Sequence, residues 1–136
     1  MSRSLKIALA QLNFHVGNLP YNFKKISASI DEAKLRGADL VVFPELSVCG
    51  YPPKDLLFVE GFVEDCLKMV EHLAVQCKGI SAIVGSPSFN PALQGKNLLN
   101  SAFLLKDGQV RDVYHKGLMP TYDVFNEYRY FEPATQ

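Results

Sequence analysis

Apolar residues fall at every second position from Leu5 through Ile7 to Leu9, alternating with Lys6, Ala8 and Ala10, a period that predicts a β-strand with one strongly apolar face. The period then lengthens. From Tyr21 to Arg36 the apolar positions are Phe23, Ile26, Ile30 and Ala33, the three-and-four spacing of an amphipathic helix, with Gly37 as its left-handed stop. Leu40-Val41-Val42-Phe43 is a short continuous apolar run, as in a strand covered on both faces, and Pro44 ends it. Helical spacing returns at Phe62, Val63, Cys66, Leu67, Val70, Leu73, Ala74 and Cys77, closes at Gly79, and gives way to a buried-strand pattern over Ile80 to Val84. Finally, extended runs at Ser101 to Leu105 and Gln109 to Tyr114 flank Asp107-Gly108, a hairpin signal. The order β-α-β-α-β followed by a hairpin predicts a layered α/β fold on a mixed sheet.

Bulk properties narrow the function classes. A chain of 136 residues is long enough for one domain with its own core, and 48% hydrophobic against 21% charged residues is the composition of an ordered globular protein. Fourteen basic and fourteen acidic side chains cancel without forming a basic stripe, so nucleic acid is not an expected partner. The N-terminal apolar run is broken by Lys6 and Gln11 and is too short for a membrane span or a signal sequence; no membrane partner is expected. Three cysteines, Cys49, Cys66 and Cys77, make neither an even disulfide framework nor a C-x-x-C pair, which fits a reducing, cytoplasmic setting.

Candidate chemistry begins at Glu45, which leaves the carboxyl end of the second strand, the rim where open α/β sheets bind ligands. Lys116 leaves the last strand of the hairpin. Each alone is an ordinary solvated loop residue, but a carboxylate and an ammonium converging in one cleft can serve as general base and oxyanion stabiliser. Cys66 and Cys77 lie on the apolar face of the second helix and read as packing residues, whereas Cys49, in the loop after Glu45, reads as structural or gating with a nucleophilic role less favoured. His15, His72 and His115 have no ligand spacing, so no metal site is expected. Gly85-Ser86-Pro87-Ser88 is not a G-x-S-x-G elbow, and no phosphate-binding glycine motif occurs, so ATP binding has no signature in these residues. The aromatic run from Tyr122 to Phe131 has too little positive charge for base stacking and is read as core packing or as the wall of a substrate pocket.

Two longer strings carry a resemblance. Phe43-Pro44-Glu45-Leu46-Ser47-Val48-Cys49-Gly50-Tyr51-Pro52-Pro53-Lys54-Asp55-Leu56-Leu57 and His115-Lys116-Gly117-Leu118-Met119-Pro120-Thr121-Tyr122-Asp123-Val124-Phe125-Asn126-Glu127-Tyr128-Arg129-Tyr130-Phe131 resemble the nitrilase superfamily and, within it, the N-terminal glutaminase domains of glutamine-dependent NAD⁺ synthetases. The resemblance implies an αββα sandwich of which residues 1–136 are the N-terminal half, with Glu45 as general base and Lys116 stabilising the tetrahedral intermediate. It further implies that Tyr51, Tyr122 and Phe125 help to form the glutamine pocket and that Glu127 buttresses it. The family's nucleophile is a cysteine followed by an acidic residue; Cys49, Cys66 and Cys77 are followed by Gly50, Leu67 and Lys78, so it is expected beyond Gln136, and these residues alone are expected to be inactive. Ammonia released from glutamine would pass to a synthetase domain outside this segment, which uses ATP, Mg²⁺ and deamido-NAD⁺. By the same resemblance the protein is expected to be a homo-oligomer. A stand-alone amidase or carbamoylase and a non-catalytic interaction module of the same fold are the competing expectations.

Overall fold

The structure is a computed structural model in which residues 3–92, 94–120 and 126–134 are described. Five strands form one sheet in the order β1 (Ile7–Leu9), β2 (Leu40–Val42), β3 (Ser81–Phe89), β4 (Leu98–Lys106) and β5 (Gln109–His115). The β1–β2 and β2–β3 pairs are parallel and the β3–β4 and β4–β5 pairs antiparallel, so the sheet is mixed as the hairpin signal implies. Between the parallel strands run α1 (Leu19–Leu35) and α2 (Phe62–Gln76). α1 begins earlier than the apolar spacing alone indicates, because the Asn18 side chain accepts a hydrogen bond from the Tyr21 amide and Pro20 fits the first helical turn.

Both helices bury a stripe of three-and-four spacing: Ile26, Ile30 and Ala33 on α1, and Val63, Cys66, Val70, Leu73 and Ala74 on α2. They pack on one another and on one face of the sheet, where the paired row Ala8, Val41, Ala82, Leu105 and Val110 and the pair Val84 and Phe103 complete the core. The other face is apolar and open. Its paired row Leu9, Val42, Ile83 and Leu104 receives no helix among the described residues, and Ile7, Leu9 and Tyr114 are 48%, 70% and 60% exposed. The strongly apolar side of β1 read from the sequence is therefore the open side, while its alanines meet the helices.

β3 and β4 are longer than the sequence pattern indicates. Beyond Ile83 β3 has left β2 behind and pairs only with β4, so Pro87 can sit inside it: a residue without an N–H is tolerated where a ladder has one side. The β4–β5 hairpin turns at Asp107-Gly108 with φ of 54° and 81°, the double positive φ of a tight hairpin turn. A bulge between Leu104 and Leu105 shifts the register, so that Leu105 pairs with Val110 but Leu104 with Asp112.

One buried amide ties the loop after β2 to the rest of the domain. Asn22, fully buried on α1, donates to the carbonyls of His15 (2.8 Å) and Val48 (3.0 Å) and accepts from the amide of His15 (2.8 Å). Replacing it by Ala strands the His15 amide and the Val48 carbonyl, each worth about 1–3 kcal/mol when buried without a partner, while the His15 carbonyl keeps the Asn18 amide at 3.2 Å. Asn22→Ala is expected to lower the unfolding free energy of the chain by about 3 kcal/mol in urea titration; a loss under about 1 kcal/mol would show that water replaces the amide without cost.

Candidate active site

Glu45 owes its position to a crossing of two backbones. The β2–β3 ladder continues one step past the strand, with the Phe43 amide bonded to the Ile83 carbonyl at 3.0 Å, and Pro44 then turns the chain over β3. There the Val48 amide donates to the Gly85 carbonyl (3.0 Å) and the Gly85 amide donates to Ser47 Oγ (3.1 Å). A Cβ on residue 85 would stand 2.3 Å from the Leu46 nitrogen and 3.1 Å from the Glu45 carbonyl carbon, so only glycine admits this approach. Leu46 takes a left-handed φ of 51° and is wholly buried, so a local conformational cost of about 1–2 kcal/mol is offset by packing.

Lys116 arrives from the far side of the sheet. β5 runs antiparallel to β4, and β4 antiparallel to β3, so β5 points the same way as β2 and the carboxyl ends of both lie on one rim. Lys116 Nζ donates to Glu45 Oε1 at 2.7 Å and to Glu127 Oε1 at 3.1 Å. Glu127 opens a short 3-10 turn, Glu127–Arg129, and is 5% exposed; its Oε1 also accepts from the Tyr51 hydroxyl at 2.7 Å, whereas its Oε2 is buried with no hydrogen-bond partner among the described residues. Burial alone would lower the Lys116 pKa, but its hydrogen bonds to Glu45 and Glu127 and the charges of both carboxylates outweigh burial and hold it above the ordinary lysine value. Lys116 is thus a committed cation, suited to stabilise negative charge rather than to accept a proton.

Of the residues expected at the site, the structure brings Glu45, Lys116, Glu127 and Tyr51 into one hydrogen-bonded chain. Tyr122 and Phe125 lie outside the described residues. A residue the sequence reading passes over joins them: Asn100, 3% exposed on β4, donates from Nδ2 to Glu45 Oε1 at 2.6 Å, and its carbonyl accepts the Lys116 amide at 2.8 Å. Its signal in the sequence is a carboxamide between Leu99 and Ser101 in an otherwise apolar stretch, where a buried polar side chain requires a partner. Next to it Ser101 bridges Ser88 and His115 Nδ1, both at 2.7 Å. Glu45, Asn100, Ser101, His115 and Lys116 line a cleft of about 330 Å³ at the rim.

None of the three thiols has the character of a nucleophile, since all are fully buried. Cys49 lies 3.3 Å from the Gly50 carbonyl, and its hydrogen bond with the Cys66 thiol, together with burial, pushes its pKa well above the ordinary thiol range. Burial raises Cys77 to about 11. Among the described residues no cluster of three or more His, Cys, Asp or Glu could hold a metal ion, and no helix is long and apolar enough to cross a membrane.

A mixed sheet with a layer of two helices and a carboxylate–ammonium pair at its rim is an arrangement able to act on a carbonyl carbon. The chain belongs to the carbon-nitrogen hydrolase family, whose model matches residues 6–136, and its fold is the nitrilase-like α/β fold. Glutamine-dependent NAD⁺ synthetase of Synechocystis sp. is 46% identical over 134 residues, covering 96% of this chain and 24% of that protein. The Xylella fastidiosa synthetase is 45% identical over 133 residues, covering 97% and 24%. The solved glutamine-dependent NAD⁺ synthetase of Acinetobacter baumannii, in complex with ADP, superposes with a TM-score of 0.88 at 38% identity over 98% of this chain and 25% of that one. An amidase from Nesterenkonia sp. shares the fold, with a TM-score of 0.78 at 23% identity over 97% of this chain and 49% of that one. The chain spans 24% of the length of the two curated synthetases.

Proposed function

We propose that this chain is the N-terminal part of the glutaminase domain of a glutamine-dependent NAD⁺ synthetase, with Glu45 as general base and Lys116 as oxyanion stabiliser. The observation that carries the reading is a single ammonium held 2.7 Å from a half-exposed carboxylate and 3.1 Å from a buried one at the mouth of a cleft. The identity to the Synechocystis and Xylella synthetases supports the choice within the family. On this reading the thiol that attacks glutamine is not Cys49, Cys66 or Cys77, whose burial leaves them out of reach, but a cysteine outside residues 1–136.

Glu45 takes the proton of that thiol, which at an ordinary pKa of about 8.5 is only a few per cent ionised near neutrality. The sulfur adds to the carboxamide carbon, and the charge that develops on the carbonyl oxygen is met by Lys116. Collapse of the adduct expels ammonia with the proton held by Glu45 and leaves a thioester. Water, deprotonated by the same carboxylate, then releases glutamate and restores the thiol. Glu127 and Tyr51 hold Lys116 in place, and Tyr51, Tyr122 and Phe125 contribute to the glutamine pocket. ATP, Mg²⁺ and deamido-NAD⁺ belong to a synthetase part outside this segment, in a cytoplasmic homo-oligomer. Residues 1–136 alone release no ammonia from glutamine, because they supply a base and a cation without an accessible thiol.

The reading is tested with the complete polypeptide, glutamine labelled with ¹⁵N in its amide, ATP, Mg²⁺ and deamido-NAD⁺. Label is expected in the carboxamide of NAD⁺, with one glutamate formed per NAD⁺. Glutamate and free ammonia without NAD⁺ would assign the chain to an independent amidase instead.

A further inference from the structure

Resting on that glutaminase reading, the geometry points to Asn100 as a positioning residue that fixes which oxygen of Glu45 takes the proton. Two donors, Asn100 Nδ2 at 2.6 Å and Lys116 Nζ at 2.7 Å, converge on Oε1. No hydrogen bond from a described residue reaches Oε2. Both donors favour negative charge on Oε1, so Oε2 is the atom left to accept a proton from a substrate-side group. The amide orientation follows from chemistry: an ionised carboxylate can only accept, so Asn100 must turn its NH₂ toward Glu45.

Asn100 also sets the partner of that pair. Its carbonyl accepts the Lys116 amide at 2.8 Å, so one residue holds the carboxylate through its side chain and the ammonium's backbone through its main chain. At 3% exposure on β4, the carboxamide has few alternatives to Glu45, and a buried NH₂ left without an acceptor would cost about 1–3 kcal/mol. Neutrality matters as much as shape. Glu45 and Glu127 already place two carboxylates around one ammonium, and an Asp at position 100 would add a third with no proton to donate.

The experiment compares Asn100→Asp, which keeps the side-chain shape, and Asn100→Ala with wild type and Glu45→Gln in the complete polypeptide. The readouts are kcat and KM for glutamine, the pH profile of kcat, and the rate with ammonia as nitrogen source. Asn100→Ala is expected to lower glutamine-dependent kcat about tenfold with KM within about twofold, a loss of one aligned donor rather than of substrate binding. For Asn100→Asp kcat should fall about a hundredfold at neutral pH and the acid limb should move to higher pH, because an ionised base must now form beside a second carboxylate. Lys116, Glu127 and Tyr51, together with Tyr114 and His115 of β5 in the same cleft, are common to all variants, so the displacement between profiles reports position 100. Ammonia-dependent rates should stay at the wild-type level. Asn100 variants with the wild-type kcat and pH profile, or with equal losses from both nitrogen sources, would overturn the assignment. The glutaminase reading fails separately, and would show as a wild type that cannot use glutamine or a Glu45→Gln variant that still can.

Discussion

Glu45→Gln is expected to lower glutamine-supported NAD⁺ formation by about a thousandfold while leaving ammonia-supported formation within about twofold of wild type. The substitution is chosen because it changes little else. The glutamine side chain still offers an oxygen to Lys116 and Asn100, which approach Oε1 at 2.7 and 2.6 Å, so the loop and the cleft keep their shape. What disappears is the capacity to hold a proton between thiol, leaving ammonia and attacking water. Each of those transfers uses the same atom, so both acylation and deacylation suffer, and saturating glutamine cannot restore the rate. Ammonia supplied in solution bypasses all three. Equal losses with both nitrogen sources would mean that Glu45 supports the structure of the whole enzyme rather than the release of nitrogen.

Lys116→Met should act on rate and stability together. Removing one oxyanion donor typically costs about 10²–10³ in kcat, and that loss is expected here with glutamine alone as nitrogen source. The second effect comes from Glu127, which at 5% exposure would retain the Tyr51 hydroxyl but lose the only cation paired with it among the described residues. Breaking a buried pair costs about 3–5 kcal/mol, and because Lys116 is itself 29% exposed a loss nearer about 2 kcal/mol in urea titration is expected. The double variant Lys116→Met with Glu127→Gln separates the two effects, since it removes the stranded charge: stability should return and activity should not. If the single variant were as stable as wild type, Glu127 would not depend on this ammonium.

The sign of the accompanying pH dependence follows from the raised pKa of Lys116. The folded state holds this proton more tightly than the unfolded chain does. The stabilisation is therefore complete below the ordinary lysine value of about 10.4 and is lost as pH rises through the higher folded value.

The helices were legible because each keeps a stripe of apolar residues against one layer, as Ile26, Ile30 and Ala33 do on α1. Gly85-Ser86-Pro87-Ser88 was not legible as strand, since three turn-forming residue types hide a segment that pairs with β4 along its length. The same masking shortened β4, which is legible only from Ser101 because the buried polar Asn100 interrupts the apolar run that begins at Leu98. Glu45 and Lys116 could be read as converging from their strand-end positions together with the motif resemblance, although the antiparallel β3–β4 pairing that puts both ends on one rim carried no signal. Their approach to 2.7 Å could not, because it depends on the Gly85 crossing and on Asn100, contacts between residues far apart in sequence whose only local trace is a small or polar residue in an apolar run. Glu127 entered through resemblance, and its burial beneath Lys116 has no periodic signature at all.

The bulge near the hairpin turn decides which side chain faces the base. With it, Asn100 stands opposite Lys116, as their main-chain hydrogen bond records. Were the pairing of Leu105 with Val110 and Lys106 with Gln109 continued without interruption, every later partner would slip by one and His115 would take that place. A fixed positive charge would be exchanged for an imidazole ring, and Lys116 would turn to the opposite face. One supernumerary residue, Arg111, therefore writes the electrostatic sign of the site from several residues away. Length changes in this ribbon are consequently as disruptive as substitutions at the rim, and homologous sequences should tolerate insertions at the Asp107-Gly108 tip only in forms that preserve the count from Arg111 to Lys116.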